Sequence, residues 1–258
     1  MTESLVRFAT DGAAVRLTLD SPHNRNALSS ALVGQLRSGL TRAADDPAVR
    51  AVVLDHTGGT FCAGADLSEA TTGDPKQAAT ERANALAALL RAIVECPVPV
   101  IAAIDGHVRA GGMGLVGACD IAIAGPGSTF ALTEARLGVA PAIISLTLLP
   151  KLTPRAAARY YLTGETFSAQ RAAEIGLVTA AAEDVASAVD AVTAELAKAS
   201  PQGLAASKAL TTAALLAGFD RDAQRLAEDS ARLFVSEEAR EGMLAFLEKR
   251  PPRWAPPL

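Results

Sequence analysis

The sequence predicts an α/β protein built from repeated ββα units and closed by a C-terminal helical region. Three observations lead there. Strand, loop and helix signals follow one another twice in the first half, each time with glycine where loop meets helix. From about residue 153 onward the signals are almost all helical. The composition is half apolar, only 4% aromatic and rich in alanine, which suits helices lying close against sheets. The expected division is a mixed core over residues 1–200 and a helical oligomerisation region over residues 201–258.

Taken in order, residues 13–19 alternate as a strand, and residues 27–44 carry Leu28, Leu32, Leu36 and Leu40 at helical spacing. Residues 49–55 read as a second strand, closed by Gly58 and Gly59. A loop over residues 61–66 precedes a helix over about 76–95, which Pro97 and Pro99 end. Residues 98–104 then read as a buried strand, with a glycine-rich stretch, a helix beginning near Gly112 and a third strand over residues 120–124. Thr153 and Pro154 form an N-cap and first-turn pair, Pro201 opens a further helix, and helical periods run to Leu247. The proline-rich stretch from Pro251 to Leu258 is expected to be extended.

Composition excludes several classes. The net charge of −4 leaves no basic footprint for nucleic acid. Cys62, Cys96 and Cys119 are scattered, without metal-ligand spacing or a disulfide framework, so a cytoplasmic setting and no metal are expected. No apolar run is long enough to span a bilayer, and the stretch Val98–Ile104 is broken by Pro99. The first residues lack the basic and apolar regions of a signal peptide.

Two loops carry candidate chemistry. Ala65 and Gly111 each lie where a glycine-containing loop lets backbone approach a ligand and exposes N–H groups. If the loops converge, the two N–H groups can grip one carbonyl oxygen, as thioester chemistry requires when an enolate forms. Taken singly, each loop reads more readily as a tight turn than as a site.

The whole set of motifs resembles the crotonase superfamily of enoyl-CoA hydratases and isomerases. The matching segments are 24–28 (NRNAL), 61–67 (FCAGADL), 99–106 (PVIAAIDG), 110–115 (AGGMGL), 118–124 (ACDIAIA) and 130–138 (FALTEARLG). Others are 162–164 (LTG), 173–178 (AEIGLV) and 241–250 (EGMLAFLEKR), so the resemblance covers nearly the whole chain. It implies a spiral of ββα units, a C-terminal helical trimerisation region, and a homotrimer or dimer of trimers. It also implies an acyl-CoA substrate, with CoA as carrier and no prosthetic group. The oxyanion donors fall on Ala65 and Gly111. CoA is expected along Ala63, Ala65, Asp66 and Leu67, with Arg25 at a position that meets its phosphates and Phe246 and Lys249 completing its site.

The sequence also departs from that pattern. Hydratases of the family usually carry two glutamates. One falls on Glu134, and the other falls on Gly114, which has no side chain. The apolar neighbours of Glu134 favour a raised pKa and an acid–base role. Three mechanisms fit. Glu134 serves both proton steps of a hydratase, or moves a proton between carbons as an isomerase, or a substrate carboxylate takes the missing role, Gly114 leaving room for it.

The segments 111–116, 132–138 and 141–145 look closest to the branch of methylglutaconyl-CoA-type hydratases of leucine and terpene breakdown. His107 and Arg109 flank the second loop, where they either meet a distal substrate carboxylate or face solvent or a subunit interface. Cys62 reads as a small filler and Asp120 as a turn-positioning residue. The stretch Gly112–Gly117 formally matches a dinucleotide fingerprint. The next strand follows too soon for a βαβ crossover. A non-catalytic acyl-CoA-binding scaffold is the remaining alternative.

Overall fold

The computed structural model describes residues 4–66, 68–69 and 74–255. The chain opens with an antiparallel hairpin, β1 (Val6–Asp11) and β2 (Ala14–Leu19). In β2, Val15, Leu17 and Leu19 are wholly buried and alternate with partly exposed Arg16 and Thr18, the pattern of a strand packed on one face. A 3-10 turn, Pro22–Asn24, leads toward α1 (Ser30–Ala44). The helix expected over residues 27–44 starts later, because Ser29 takes the N-cap and its hydroxyl accepts from the Leu32 N–H at 3.2 Å. Leu28 instead bridges Ala65 in extended geometry.

Three turns of a spiral follow. The first is β3 (Ala51–His56), β4 (Thr60–Cys62) and α2 (Pro75–Glu95). The second is β5 (Val100–Ile104), β6 (His107–Arg109) and α3 (Gly111–Ala118). The third is β7 (Ile121–Ala124), β8 (Thr129–Ala131), a 3-10 turn (Glu134–Leu137) and the short α4 (Ser145–Leu148). Then come α5 (Pro154–Thr163), β9 (Phe167–Ser168), α6 (Ala169–Glu174) and β10 (Ala180–Ala181), and finally α7 (Val185–Leu196), α8 (Pro201–Phe234) and α9 (Glu237–Leu247).

Each turn of the spiral gives its first strand to one sheet and its second to another. The larger sheet runs β1-β2-β3-β5-β7-β10 and is parallel from β2 onward. The smaller runs β4-β6-β8-β9, with β4, β6 and β8 parallel to one another. Every residue of β5 is buried, as a central parallel strand covered on both faces must be. One face, through Val52, Leu54, Val100 and Ala102, joins the main core with Leu36 of α1 and Ile93 of α2. The other, through Val53, Ile101 and Ile123, is covered by Val189 of α7.

The 34-residue α8 packs along α2. Its Lys208, 5% exposed, sends its ammonium into the core. There Nζ meets Asp120 Oδ2 at 2.7 Å and donates to the Ile93 and Val98 carbonyls. Asp120 also accepts from the Val100 N–H at 2.7 Å, so it fixes the start of β5 as a positioning residue. The expectation of an extended tail is corrected over the described residues. The chain turns instead, with the Ala255 N–H donating to the Pro252 carbonyl at 2.9 Å. No helix among the described residues is long and apolar enough to cross a membrane.

Candidate active site

Ala65 follows the end of β4, Gly111 follows β6, and Glu134 follows β8. These are three consecutive parallel strands, so their carboxyl ends lie along one edge, where open parallel sheets commonly place ligand sites.

The first two loops touch. Gly64 has φ of 92°, and a methyl group there would stand 2.8 Å from Ala110 Cβ and 3.1 Å from the Gly111 nitrogen. Only glycine permits both that backbone and that approach. The parallel bridge between Leu28 and Ala65 uses the Leu28 N–H, donated to the Gly64 carbonyl at 2.7 Å, and the Asp66 N–H, donated to the Leu28 carbonyl at 3.4 Å. A parallel bridge turns the intervening Ala65 N–H away from its partner strand. Gly111 is the first residue of α3, and its N–H has no acceptor one turn back. Among the described residues neither N–H has a hydrogen-bond acceptor.

Ala110, the N-cap of α3, holds φ 45° and ψ −120°. An alanine held there costs on the order of 1–3 kcal/mol, and the peptide it orients carries the Gly111 N–H. The conformation is kept by two bonds: the Ala110 N–H to the Ala131 carbonyl at 3.3 Å and the Met113 N–H to the Ala110 carbonyl at 2.9 Å.

Glu134 begins the 3-10 turn after β8, and its side chain is buried. Its Oε2 has neither exposed surface nor a hydrogen-bond partner. Burial pushes its pKa up from the ordinary 4.5 to about 7, opposed only in part by its own backbone N–H. A carboxyl so placed exchanges protons near neutrality. The turn is braced from the C-terminus. A Cβ on Gly242 of α9 would lie 2.5 Å from the Leu137 carbonyl oxygen, and one on Gly138 would lie 2.6 Å from Glu238.

Gly114 does not leave room for a substrate group. A Cβ there would lie 2.5 Å from Ile144 Cγ2 and 3.2 Å from Leu90 Cδ1, so Ile144 already fills the space of the family's other glutamate. The expected substrate-carboxylate pocket at Gly114 is corrected on that ground. Arg109 is likewise committed. It donates to the Thr129 carbonyl at 2.7 Å, the Thr129 hydroxyl at 2.8 Å and the Val108 carbonyl at 2.9 Å. His107 Nδ1 shares that hydroxyl at 2.8 Å, so both side chains brace β6 against β8 rather than stand ready for a distal carboxylate. Cys62 is fully buried, which pushes its thiol up to about 12, out of reach of a thiolate nucleophile.

The remaining predicted positions divide. Arg25 is exposed, with φ of 60°, and its carbonyl accepts from the Ala63 N–H at 3.1 Å, which places it beside the first loop. Asp66 accepts from Ser68 Oγ at 2.6 Å and N–H at 2.9 Å and from Asn24 Nδ2 at 3.1 Å. The Ser68 hydroxyl above all holds it below the usual carboxylate range. Its oxygens therefore shape the loop. Leu67 lies outside the described residues. Phe246 is 53% exposed near the end of α9, and Lys249 follows the helix's C-cap, Glu248, with φ of 55°. Among the described residues no group of three His, Cys, Asp or Glu side chains is placed to hold a metal.

Two residues of the site, one packed on Gly114 and one near Glu134, escaped the sequence reading. Ile144 could be located only by folding, thirty residues from Gly114. Tyr161 of α5 has a hydroxyl that is buried without a partner, and Glu134 is close enough for its charge to act on that phenol. The adjacent Tyr160–Tyr161 pair was its only signal.

A family model for enoyl-CoA hydratase/isomerase matches residues 10–257. The chain belongs to the enoyl-CoA hydratase/isomerase family. It is 69% identical to a crystallised enoyl-CoA hydratase from Mycobacterium avium, covering 98% of this chain and 100% of that one with a TM-score of 0.93. It is 34% identical to the mevalonyl-coenzyme A hydratase of Aspergillus fumigatus over 98% of this chain and 94% of that protein. The mitochondrial enoyl-CoA hydratase domain-containing protein 3 of Danio rerio is 30% identical, over 98% of this chain and 89% of its own. Crotonase membership and the mixed α/β spiral expected from the motifs therefore hold.

Proposed function

We propose that this protein is an enoyl-CoA hydratase-type lyase that uses one glutamate, Glu134, for both proton steps. The observation that carries this reading is a buried glutamate, one of whose carboxyl oxygens has no partner among the described residues, on the same sheet edge as two free N–H donors. The thioester oxygen sits between the N–H groups of Ala65 and Gly111. The Glu134 carboxylate takes a proton from water, and the water oxygen adds to the β-carbon. The double-bond electrons pass to the thioester as an enolate, and Glu134 returns the proton to the α-carbon. Each N–H donor contributes roughly 3 kcal/mol once charge develops on the oxygen.

CoA runs past Ala63, Asp66 and Leu67, with Arg25 toward its phosphates and Phe246 and Lys249 closing the site. A helical region over residues 201–258 mediates assembly into trimers. The substrate class is a branched enoyl-CoA. A relative named for mevalonyl-CoA, itself branched at the β-carbon, supports branching. A carboxylated acyl chain such as 3-methylglutaconyl would carry its carboxylate elsewhere than against Gly114.

A second reading has its own support. Ile144 replaces the usual water-holding group with hydrocarbon, which suits an isomerase that moves a proton between carbons with the same glutamate.

Purified protein is incubated with crotonyl-CoA, 3-methylglutaconyl-CoA and a 3-enoyl-CoA, and products are weighed by mass spectrometry. Gain of one water on a 2-enoyl substrate, lost in Glu134→Gln, is the expected result. Conversion of only the 3-enoyl thioester, without mass change, replaces the hydratase by the isomerase.

A further inference from the structure

Ile144 takes the place of the family's second carboxylate, so a hydratase reading leaves the nucleophilic water with one polar neighbour where it needs two or more. The structure holds a candidate for the other. Helix α5 packs on the 3-10 turn that begins with Glu134. The contact is clamped at its end: Arg136 Nε donates to the Thr163 carbonyl at 2.9 Å, and a Cβ on Gly164 would lie 3.1 Å from the Leu132 carbonyl.

Each of the two packed elements carries a polar atom with no exposed surface and no hydrogen-bond partner among the described residues: Glu134 Oε2 on the turn and the Tyr161 hydroxyl on α5. The Tyr161 ring walls an apolar groove of about 480 Å³ with Leu149, Leu152, Pro154, Ala157 and Leu162, while its oxygen is turned inward, out of solvent. Burying a hydroxyl without a partner is costly, and so is burying a carboxyl oxygen. A single oxygen-bearing molecule lodged between them satisfies both.

We propose that the Tyr161 hydroxyl is the second water-holding group of this site, standing in for the missing carboxylate. The proposal rests on the reading of Glu134 given above. The phenol donates its O–H to one lone pair of the water oxygen. The water gives one proton to Glu134 and keeps the other. Its second lone pair forms the bond to the β-carbon, and the double-bond electrons pass to the thioester oxygen. Glu134 then returns its proton to the α-carbon, so one water is added and Tyr161 ends as it began. Burial first, and the charge of Glu134 second, raise the phenol above its ordinary value, so it stays protonated and positions the water rather than deprotonating it.

Two reactions separate this role from a structural one. Hydration of crotonyl-CoA and 3-methylglutaconyl-CoA needs both the water and Glu134. Exchange of the α-protons of butyryl-CoA with D2O needs Glu134 and the oxyanion donors but no bound nucleophile. Tyr161→Phe removes one oxygen atom. It is expected to lower kcat for hydration about 10- to 100-fold, as misplacing a reactant does, with KM and α-exchange within about threefold of the parent. Unchanged hydration in Tyr161→Phe overturns the proposal, and so does a parallel fall in hydration and exchange, which would mean the hydroxyl acts through Glu134 or the fold. Glu134→Gln, run alongside, is expected to lose both reactions. If it keeps both, the Glu134 reading itself is wrong and the Tyr161 role goes with it.

Discussion

Ile144 stands where a side chain on Gly114 would have to go, its Cγ2 2.5 Å from the position of a Gly114 Cβ. The absence of a carboxylate at this point is therefore built into the packing of α3 against α4. Restoring a glutamate at position 114 alone is sterically closed.

Gly114→Ala is accordingly expected to destabilise the fold by about 1–3 kcal/mol, the usual cost of overpacking a full core. Ile144→Ala alone leaves a cavity and is expected to cost about 2–5 kcal/mol. The double variant is expected to lose less than the sum, because each change relieves the other. Denaturant melts of the four proteins measure the coupling. Strict additivity would show that the two residues do not share the space.

Glu134 gives a pH signature with a definite sign. Its carboxyl titrates at about 7 in the fold against an ordinary 4.5, and the reaction needs the ionised form. Turnover on the free enzyme, kcat/KM, is expected to rise about tenfold per pH unit below 7 and to level off above it. The same shift sets a stability change. A carboxyl whose folded pKa is raised contributes stability below pH 4.5 that is lost as pH rises through about 7. Glu134→Gln is therefore expected to be more stable than the parent at pH 8, by up to about 3 kcal/mol, and to show little gain at pH 4.5. Melting both proteins across that range checks it, and a constant offset at all pH values would refute the assignment.

The meeting of the two donor loops depends on Gly64. Gly64→Ala adds a methyl group 2.8 Å from Ala110 Cβ, at a residue with φ of 92°, and forces the loops apart. Activity is expected to fall about 100- to 1000-fold, the loss measured for one misplaced oxyanion donor. Circular dichroism checks that the fold is kept, because Gly64 is buried and its strain can also cost stability. Parental kcat in this variant would show that the two N–H groups do not act together.

Lys208→Met tests the anchoring of α8. Removing the ammonium leaves Asp120 facing an apolar interior, with only the Val100 N–H still donating to it. Breaking one side of a buried pair typically costs roughly 3–5 kcal/mol. The second change, Asp120→Asn, is expected to return part of that loss, measured as a rise in Tm of the double variant over Lys208→Met.

The elements read from sequence were those whose signal is local. The strands over residues 13–19, 49–55, 98–104 and 120–124 became β2, β3, β5 and β7, shifted by at most two residues at either end. The helix expected over about 76–95 became α2 (Pro75–Glu95). The second sheet was not seen. Its strands β4, β6 and β8 hold three residues each, too few to show a period, and they exist because neighbouring turns of the spiral supply their partners.

The site divides in the same way. Ala65, Gly111 and Glu134 could be placed from their motifs, since each sits in a recognisable loop. The contact of Gly114 with Ile144 could not be read, and it reversed the expectation of an open space. Nor could the inward turn of Tyr161 be read. Side chains at adjacent helical positions point to different sides, and sequence alone does not say which tyrosine of the pair faces Glu134.

The three proposed working groups follow the carboxyl ends of successive parallel strands of one sheet, and that gives them a common frame. Backbone hydrogen bonding fixes the pitch between neighbouring strands at about 4.8 Å. Ala65 lies three residues beyond β4, Gly111 two beyond β6 and Glu134 three beyond β8, so each loop leaves the sheet from a neighbouring strand. The starting points of the three loops are thus set by the main chain before any side chain is placed. Replacing side chains can retune acidity or swap the nucleophile, but the order in which the loops stand along the edge stays with the sheet.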